Sequence, residues 1–318
     1  MDSAAVPSAG EPDQPYAFLF AGAGSQEPGM AALLALHSCE ADGMLERISA
    51  LSGLPIRRLC VDAYAGILPV MPGYPAVFAT GLAAWAAVDR QLPAPAFVAG
   101  HSLGHFAALV ASGSLDLPAA TRIVMARSKL MERQARERPG ALLSVQGTDP
   151  DEVAEMCGRC PADLGDLAIG CYNGARHLVL SGDARAVAWA GETLGRVSGR
   201  KLRAVRAGLA AHSPLMSGVQ RELLPVIDAA EIRAPRVPVL LNSTGELTDD
   251  VDSLRTDLAT HVLTPVRWTG CWSAVASRKV RTLIDMGPGR VMARMARNEV
   301  AEDVATLRAQ SLLRGGGR

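Results

Sequence analysis

Neither sign of charge dominates this chain: 32 Lys and Arg stand against 32 Asp and Glu in 318 residues. A protein that gripped nucleic acid or an anionic membrane by bulk electrostatics would carry a basic excess, so small molecules or individual proteins are the expected partners. No apolar run reaches the ~18 residues that a transmembrane helix needs. The N-terminus also lacks the basic start and apolar core of a secretory signal, and the expected location is cytoplasmic. Cysteine is sparse, with Cys39, Cys60, Cys157, Cys160, Cys171 and Cys271 scattered through the chain. Cys157 and Cys160 make a single CxxC without a second such pair or a spaced His pair, so free thiols are expected and no metal is implied. The glycine-rich stretch Gly22-Ala23-Gly24-Ser25-Gln26 has neither the Gly-Lys-Ser/Thr of a P-loop nor a full GxGxxG, which disfavours nucleotide binding. There is no internal repeat.

What the chain does have is a strong corner at residues 97–105. The apolar run Phe97-Val98-Ala99 ends at Gly100, the polar pair His101-Ser102 follows, and Leu103 to Ala111 reads as a helix. This Gly-x-Ser-x-Gly arrangement suits a nucleophile: the glycines permit a tight turn that exposes the hydroxyl beside backbone N–H groups at a helix N-terminus. Such a serine attacks a carbonyl while those N–H groups hold the oxyanion. The same five residues also fit an ordinary strand-to-helix turn. The loop at residues 22–26 would support the oxyanion from a second side.

At 318 residues the chain can bury a large core. Residues 1–14, rich in Ala, Pro, Ser and Gly, read as a flexible tail, as do residues 311–318. Strands at 16–21 and 97–100 and a helix over 76–92 belong to a large α/β unit formed by residues 15–138 and 207–310. From 139 to 206 the texture changes to strand, helix, strand, strand, helix, strand, with the central turn at Asn173-Gly174. That βαββαβ order is the ferredoxin-like pattern and predicts a small inserted subdomain. Strands alternating with helices elsewhere predict a mainly parallel sheet covered on both faces, an α/β-hydrolase-like layout. Arg127, on the helix after the serine helix, reads by itself as a solvated helix charge.

Several short motifs occur in order. They are Phe20-Ala-Gly-Ala-Gly-Ser-Gln26, Gly100-His-Ser-Leu-Gly104, Met125-Ala-Arg127, Tyr172-Asn-Gly-Ala-Arg-His-Leu-Val-Leu-Ser-Gly182 and Ala211-His-Ser-Pro-Leu-Met216, followed by Asn242-Ser-Thr-Gly245, Thr264-Pro-Val-Arg-Trp268 and Met286-Gly-Pro-Gly289. Through them residues 16–297 resemble the malonyl-CoA:acyl carrier protein transacylases and the acyltransferase domains of polyketide synthases. The resemblance implies that Ser102 is the nucleophile and His212 its general base and acid, with the imidazole oriented by the main-chain carbonyl of Arg267. It implies an oxyanion hole from the N–H groups of Leu103 and Ala23, and makes Arg127 the partner of the free carboxylate of a malonyl-type acyl group. A guanidinium fork suits a carboxylate in a way that lysine does not. His101, Ala210, Ala211 and Asn173 are candidate pocket residues. The implied partners are malonyl-CoA or a substituted malonyl-CoA and an acyl carrier protein, with no cofactor.

Three departures from the family pattern stand out. Ala21 and Ala23 replace the proline and first glutamine of a Pro-Gly-Gln-Gly-Ser-Gln loop. His105 stands where glutamate is usual. Leu209-Ala-Ala-His212 matches neither the His-Ala-Phe-His pattern of malonyl selection nor the Tyr-Ala-Ser-His pattern of methylmalonyl selection. Small Ala210 and Ala211 would leave room for an α-substituent, with malonyl as the default. Arg196, Arg200, Lys201, Arg203 and Arg206 form a basic stretch that reads either as a solvated face or as a docking surface for an acidic carrier protein, through Arg200, Lys201 and Arg203. The favoured expectation is a discrete acyltransferase working in trans on a carrier protein. The alternatives are an acyl hydrolase that clears carrier proteins and a non-catalytic carrier-protein partner.

Overall fold

The computed structural model describes residues 15–62, 69–205 and 209–313. Among them the strands are β1 (Tyr16–Phe20), β2 (Phe97–Gly100), β3 (Gly140–Gln146), β4 (Leu167–Gly174), β5 (His177–Asp183), β6 (Lys201–Val205), β7 (Val239–Leu240), β8 (Leu247–Thr248), β9 (Thr282–Asp285) and β10 (Ala305–Arg308). The helices are α1 (Ala32–His37), α2 (Cys39–Ser52), α3 (Ile56–Val61), α4 (Val70–Val88), α5 (Gly104–Ser112), α6 (Leu117–Glu137), α7 (Pro150–Gly158), α8 (Ala184–Gly195), α9 (Ser217–Asp228), α10 (Val251–Thr260), α11 (Thr269–Ser277), α12 (Val291–Ala296) and α13 (Ala309–Leu312).

The larger sheet has the order β10-β9-β1-β2-β7-β8 and is parallel except for β8. Every residue of β1, β2 and β9 is buried, as central strands must be when helices cover both faces. One face packs under α4, α5, α6 and α9; the other carries Trp268, Cys271 and Trp272 around α11. The smaller sheet is antiparallel, in the order β4-β5-β3-β6, with α7 and α8 packed on it. This is the expected βαββαβ arrangement. Its turn falls at Ala175-Arg176 rather than at Asn173-Gly174, because β4 continues to Gly174, which pairs with His177.

Two local features place the chemistry. The α6 helix starts at Asp116, whose carboxylate accepts the Ala119 N–H at 2.6 Å, with Pro118 in the first turn. Its inward stripe runs Ala120, Ile123, Val124, Arg127, Ser128 and Met131, a helical period that drives Arg127 into the interior. Arg127, which taken by itself reads as a solvated helix charge, is therefore 1% exposed. The second feature is a stitch between the sheets. Tyr172 N–H donates to Val266 O at 2.8 Å and Val266 N–H to Gly170 O at 2.9 Å, so the smaller sheet fixes the loop after α10. Residues 311–313, expected in the C-terminal tail, are instead packed: β10 leads into α13, Leu312 and Leu313 lie on the core, and residues 314–318 lie outside the described residues. Residues 1–14 and Arg206 lie outside the described residues.

Candidate active site

The carboxyl ends of β1, β2 and β7 converge, as expected for a site on an open parallel sheet. At the end of β2 the chain turns so tightly that a Cβ on Gly100 would lie 2.2 Å from the Gly104 carbonyl, and one on Gly104 would lie 2.3 Å from Phe20 O. Only glycine fits at these two positions. Ser102, at the corner, has φ +49°, a left-handed conformation that L-residues rarely adopt. Leu103 caps the N-terminus of α5, the end of a helix whose dipole favours an anion.

His212 arrives from the opposite side, also left-handed at φ +61°. Its Nε2 lies 2.7 Å from Ser102 Oγ, and its Nδ1 lies 2.9 Å from Thr264 O. A carbonyl only accepts, so Nδ1 carries the proton and Nε2 is free to accept the serine proton. The orienting carbonyl is thus that of Thr264 and not that of Arg267. Arg267 N–H donates to Asn242 O, its carbonyl accepts from Gly270 N–H at the start of α11, and its guanidinium covers the Tyr172 ring. Burial, reinforced by the Arg127 charge, pushes the His212 imidazole down to about 3, which keeps it neutral.

Arg127 Nη2 donates to Ser102 Oγ at 3.3 Å, while its Nε and Nη1 are buried without a partner. Burial lowers this guanidinium to about 10, and the Tyr74 ring lies 5.9 Å from it. A buried cation with two unused donors is costly unless an anion completes it. Both side chains open onto a cavity of about 160 Å³, lined by Ala23, Tyr74, His101, Met131, Leu209 and Ala211 among others.

The remaining candidates divide. His101 lines the cavity and its Nε2 bonds Asn173 Oδ1 at 2.8 Å; burial pushes its imidazole down to about 4. Asn173 therefore acts through His101, and its own carbonyl accepts from Trp272 Nε1. Ala211 is on the cavity wall. Ala210 is not: it packs against β3, where a Cβ on Gly140 would meet the Ala210 Cβ at 2.6 Å, so its small size reflects that contact. Arg200 is tied to Glu152 with little of its side chain exposed, whereas Lys201 and Arg203 are exposed on the edge strand β6.

The sequence reading gave no role to Tyr74, Asp257 or His261, and it used Asn242 only as part of a motif. Asn242 Oδ1 accepts the Ser102 N–H at 2.8 Å. His105 and His261 stack at 5.6 Å, and His261 meets the His212 ring edge-on at 5.9 Å. His105 Nε2 is 3.1 Å from Asp257 Oδ2, a polar contact without hydrogen-bond geometry. Burial by itself would raise Asp257; the His105 ring, together with His261 and the Ser243 hydroxyl, overrides it and holds the carboxyl below its ordinary range.

Comparison with known proteins places this geometry in context. A family model described as acyl transferase domain matches residues 17–314. The chain is 31% identical over 309 residues to the spectinabilin polyketide synthase system protein NorB of Streptomyces orinoci, an alignment that spans 91% of this chain and 13% of that protein. It is 29% identical over 279 residues to the malonyl CoA-acyl carrier protein transacylase of Escherichia coli K12, spanning 87% and 90% of the two chains. Among solved structures, a malonyl-transacylase in complex with its type II polyketide synthase acyl carrier protein superposes with a TM-score of 0.87 at 25% identity, covering 95% of this chain and all of that one.

Proposed function

The chain belongs to the acyl transferase domain family, and from that premise we propose that it carries a malonyl-type acyl group from coenzyme A, through an ester on Ser102, to the phosphopantetheine thiol of an acyl carrier protein. Fatty acid or polyketide biosynthesis is the setting that its relatives' names support. Among the described residues no helix is long and apolar enough to cross a membrane, and we place the reaction in the cytoplasm.

In the first half-reaction His212 Nε2 takes the Ser102 proton as Oγ attacks the thioester carbonyl. The oxyanion settles toward the N–H groups of Leu103 and Ala23. The C–S bond breaks and His212 returns the proton to the departing coenzyme A sulfur. In the second half a carrier thiol gives its proton to His212, attacks the Ser102 ester, and Oγ leaves with that proton. Every group needed comes from the chain and the two thiols, so the mechanism calls for no cofactor.

The observation that carries the substrate class is Arg127. Its two orphaned donors, buried beside the nucleophile, match the carboxylate of a dicarboxylic acyl group. With Ala210 packed away from the cavity, only Ala211 remains as a reason to expect room for an α-substituent, and malonyl is the proposed acyl unit. Lys201 and Arg203 are the basic pair proposed to meet the carrier protein.

Intact-mass measurement tests this reading. Malonyl-CoA should leave a malonyl adduct that Ser102→Ala lacks and Arg127→Gln forms at least tenfold more slowly, consistent with losing charged hydrogen bonds. Adding a holo-carrier protein should move the adduct, and reversing Lys201 and Arg203 to Glu should slow that second step alone. An adduct lost to water in preference to the carrier thiol would make the protein a hydrolase, and no adduct at all would make it a binding protein.

A further inference from the structure

Ser102 is held in an unfavourable backbone conformation, and something must supply the free energy that keeps it there. The glycines make the turn possible without selecting it. The selecting contact is the Asn242 side chain, which arrives from the end of β7, 140 residues away in sequence. Its Oδ1 accepts the Ser102 N–H at 2.8 Å and its Nδ2 donates to Gly100 O at 2.8 Å, so one amide closes both ends of the corner. The same Nδ2 lies 3.3 Å from His105 Nδ1, which therefore accepts and leaves the imidazole proton on Nε2, facing Asp257.

Asp257, on α10, completes the clamp. Its Oδ2 accepts the Asn242 N–H at 3.2 Å and its Oδ1 accepts the Ser243 N–H at 2.7 Å together with the Ser243 hydroxyl. Asp257 is 1% exposed, Asn242 3% and His105 0%. Buried polar side chains are retained at a cost, and here the Asn242 amide is spent on the serine turn while Asp257 is spent on residues 242 and 243.

We propose that Asn242 is a positioning residue for the nucleophile, with Asp257 holding its main chain and His105 its amide so that the Ser102 N–H is consumed within the turn and Oγ is aimed at His212. His105 then has a defined part, as the acceptor that sets the Asn242 amide the right way round. The proposal rests on the assignment of Ser102 as nucleophile but not on the identity of the acyl group.

Two probes separate these layers: malonyl-CoA, and an uncharged fluorophosphonate that needs an activated Ser102 but no guanidinium. Rates are read as single-turnover adduct formation, with melting curves taken on the same samples. Asn242→Ala should slow both reactions about 10²-fold, the size expected when a reacting atom is misplaced by about 1 Å. Its KM for malonyl-CoA should stay within about twofold, because the loss falls on the chemical step. Asp257→Asn should slow both about tenfold, and Ser243→Ala, which removes only one of the Asp257 contacts, less than about threefold. A folded Asn242→Ala protein that reacts with the phosphonate at the wild-type rate overturns the proposal. If that variant does not fold, wild-type rates for Asp257→Asn overturn it equally. Should malonyl-CoA acylate no variant while the phosphonate series keeps the expected order, the acyl assignment fails and the positioning role stands.

Discussion

The two halves of the Ser102–His212 pair both rest on left-handed backbone, φ +49° and +61°, yet they are held by different means. The serine is pinned by side chains and by the absence of side chains: the Asn242 amide on its N–H, and glycines at 100 and 104 where no Cβ fits. The histidine is pinned by main chain. Its N–H donates to Val262 O at 2.9 Å and its Nδ1 to Thr264 O at 2.9 Å, both from the loop after α10. The nucleophile thus depends on which residues its neighbours are, whereas the base depends on where the chain runs. Substitutions should therefore fall unevenly on the two halves even though they meet at 2.7 Å.

The largest effect comes from removing the base itself. His212→Ala should lower the rate of Ser102 acylation about 10²- to 10⁴-fold, the usual range for a general base. The pH profile sharpens this. Because burial and the Arg127 charge push the imidazole down to about 3, the wild-type acylation rate should show no inflection near the ordinary histidine range between pH 5 and 8. The sign for stability is the same. As pH falls below ~6.5 the unfolded chain binds the proton first, so this contribution is intact above that pH and drains away toward pH 3. A rate profile that titrates near 6.5 would mean that His212 is more solvated than its geometry implies, and the contrast between a rigid base and a rigid nucleophile would weaken.

How much of this was legible beforehand follows the same division. The Ser102 corner could be read because glycine, serine and an apolar strand are side-chain facts. Arg127 belongs to a stripe whose period is visible in Ala120, Ile123, Val124 and Met131, but the same arginine reads as a surface charge until the stripe is seen to face inward. The βαββαβ order was legible from alternating apolar runs, while the short β8, the edge strand β10 and the packed Leu312-Leu313 were not. The carbonyl that orients His212 carries no sequence mark at all, which is why Arg267 was expected where Thr264 serves. Asn242 and Asp257 were invisible as partners because α10 and the end of β7 meet the serine only through the folded sheet. Ala210 shows the converse: a small residue beside a site reads as space until the Gly140 contact is known.

A smaller effect tests the packing side of the comparison. In Gly104→Ala the new Cβ would sit 2.3 Å from Phe20 O and 2.7 Å from Ala21 O, so β1 and α5 must separate. Gly170, beside the base, is less crowded, its nearest neighbours being Ser181 Cβ at 3.0 Å and Ala211 O at 3.2 Å, with His212 Cβ at 3.5 Å. Overpacking costs roughly 1–3 kcal/mol in an ordinary core, and Gly104→Ala should reach or pass the upper end. Thermal melts should show the larger drop for Gly104→Ala and a milder one for Gly170→Ala. Equal drops would show that the histidine side is as tightly packed as the serine side.

The smallest expected effect is the one that most sharply divides main-chain from side-chain support. Thr264 orients His212 through its carbonyl, and its hydroxyl is engaged elsewhere, donating to Thr260 O at 3.2 Å. Thr264→Ala keeps the carbonyl, keeps the Pro265 that follows it, and keeps the Val266 stitch to β4 that fixes the loop. Steady-state measurement should therefore find kcat/KM within about twofold of wild type, since no interaction that strengthens in the transition state has been removed. Asn242→Ala, by contrast, deletes the amide that bonds Ser102 N–H and Gly100 O and should cost far more. If Thr264→Ala instead lost activity on the scale of Asn242→Ala, the loop would be held by its side chains after all, and the base, like the nucleophile, would owe its position to residue identity.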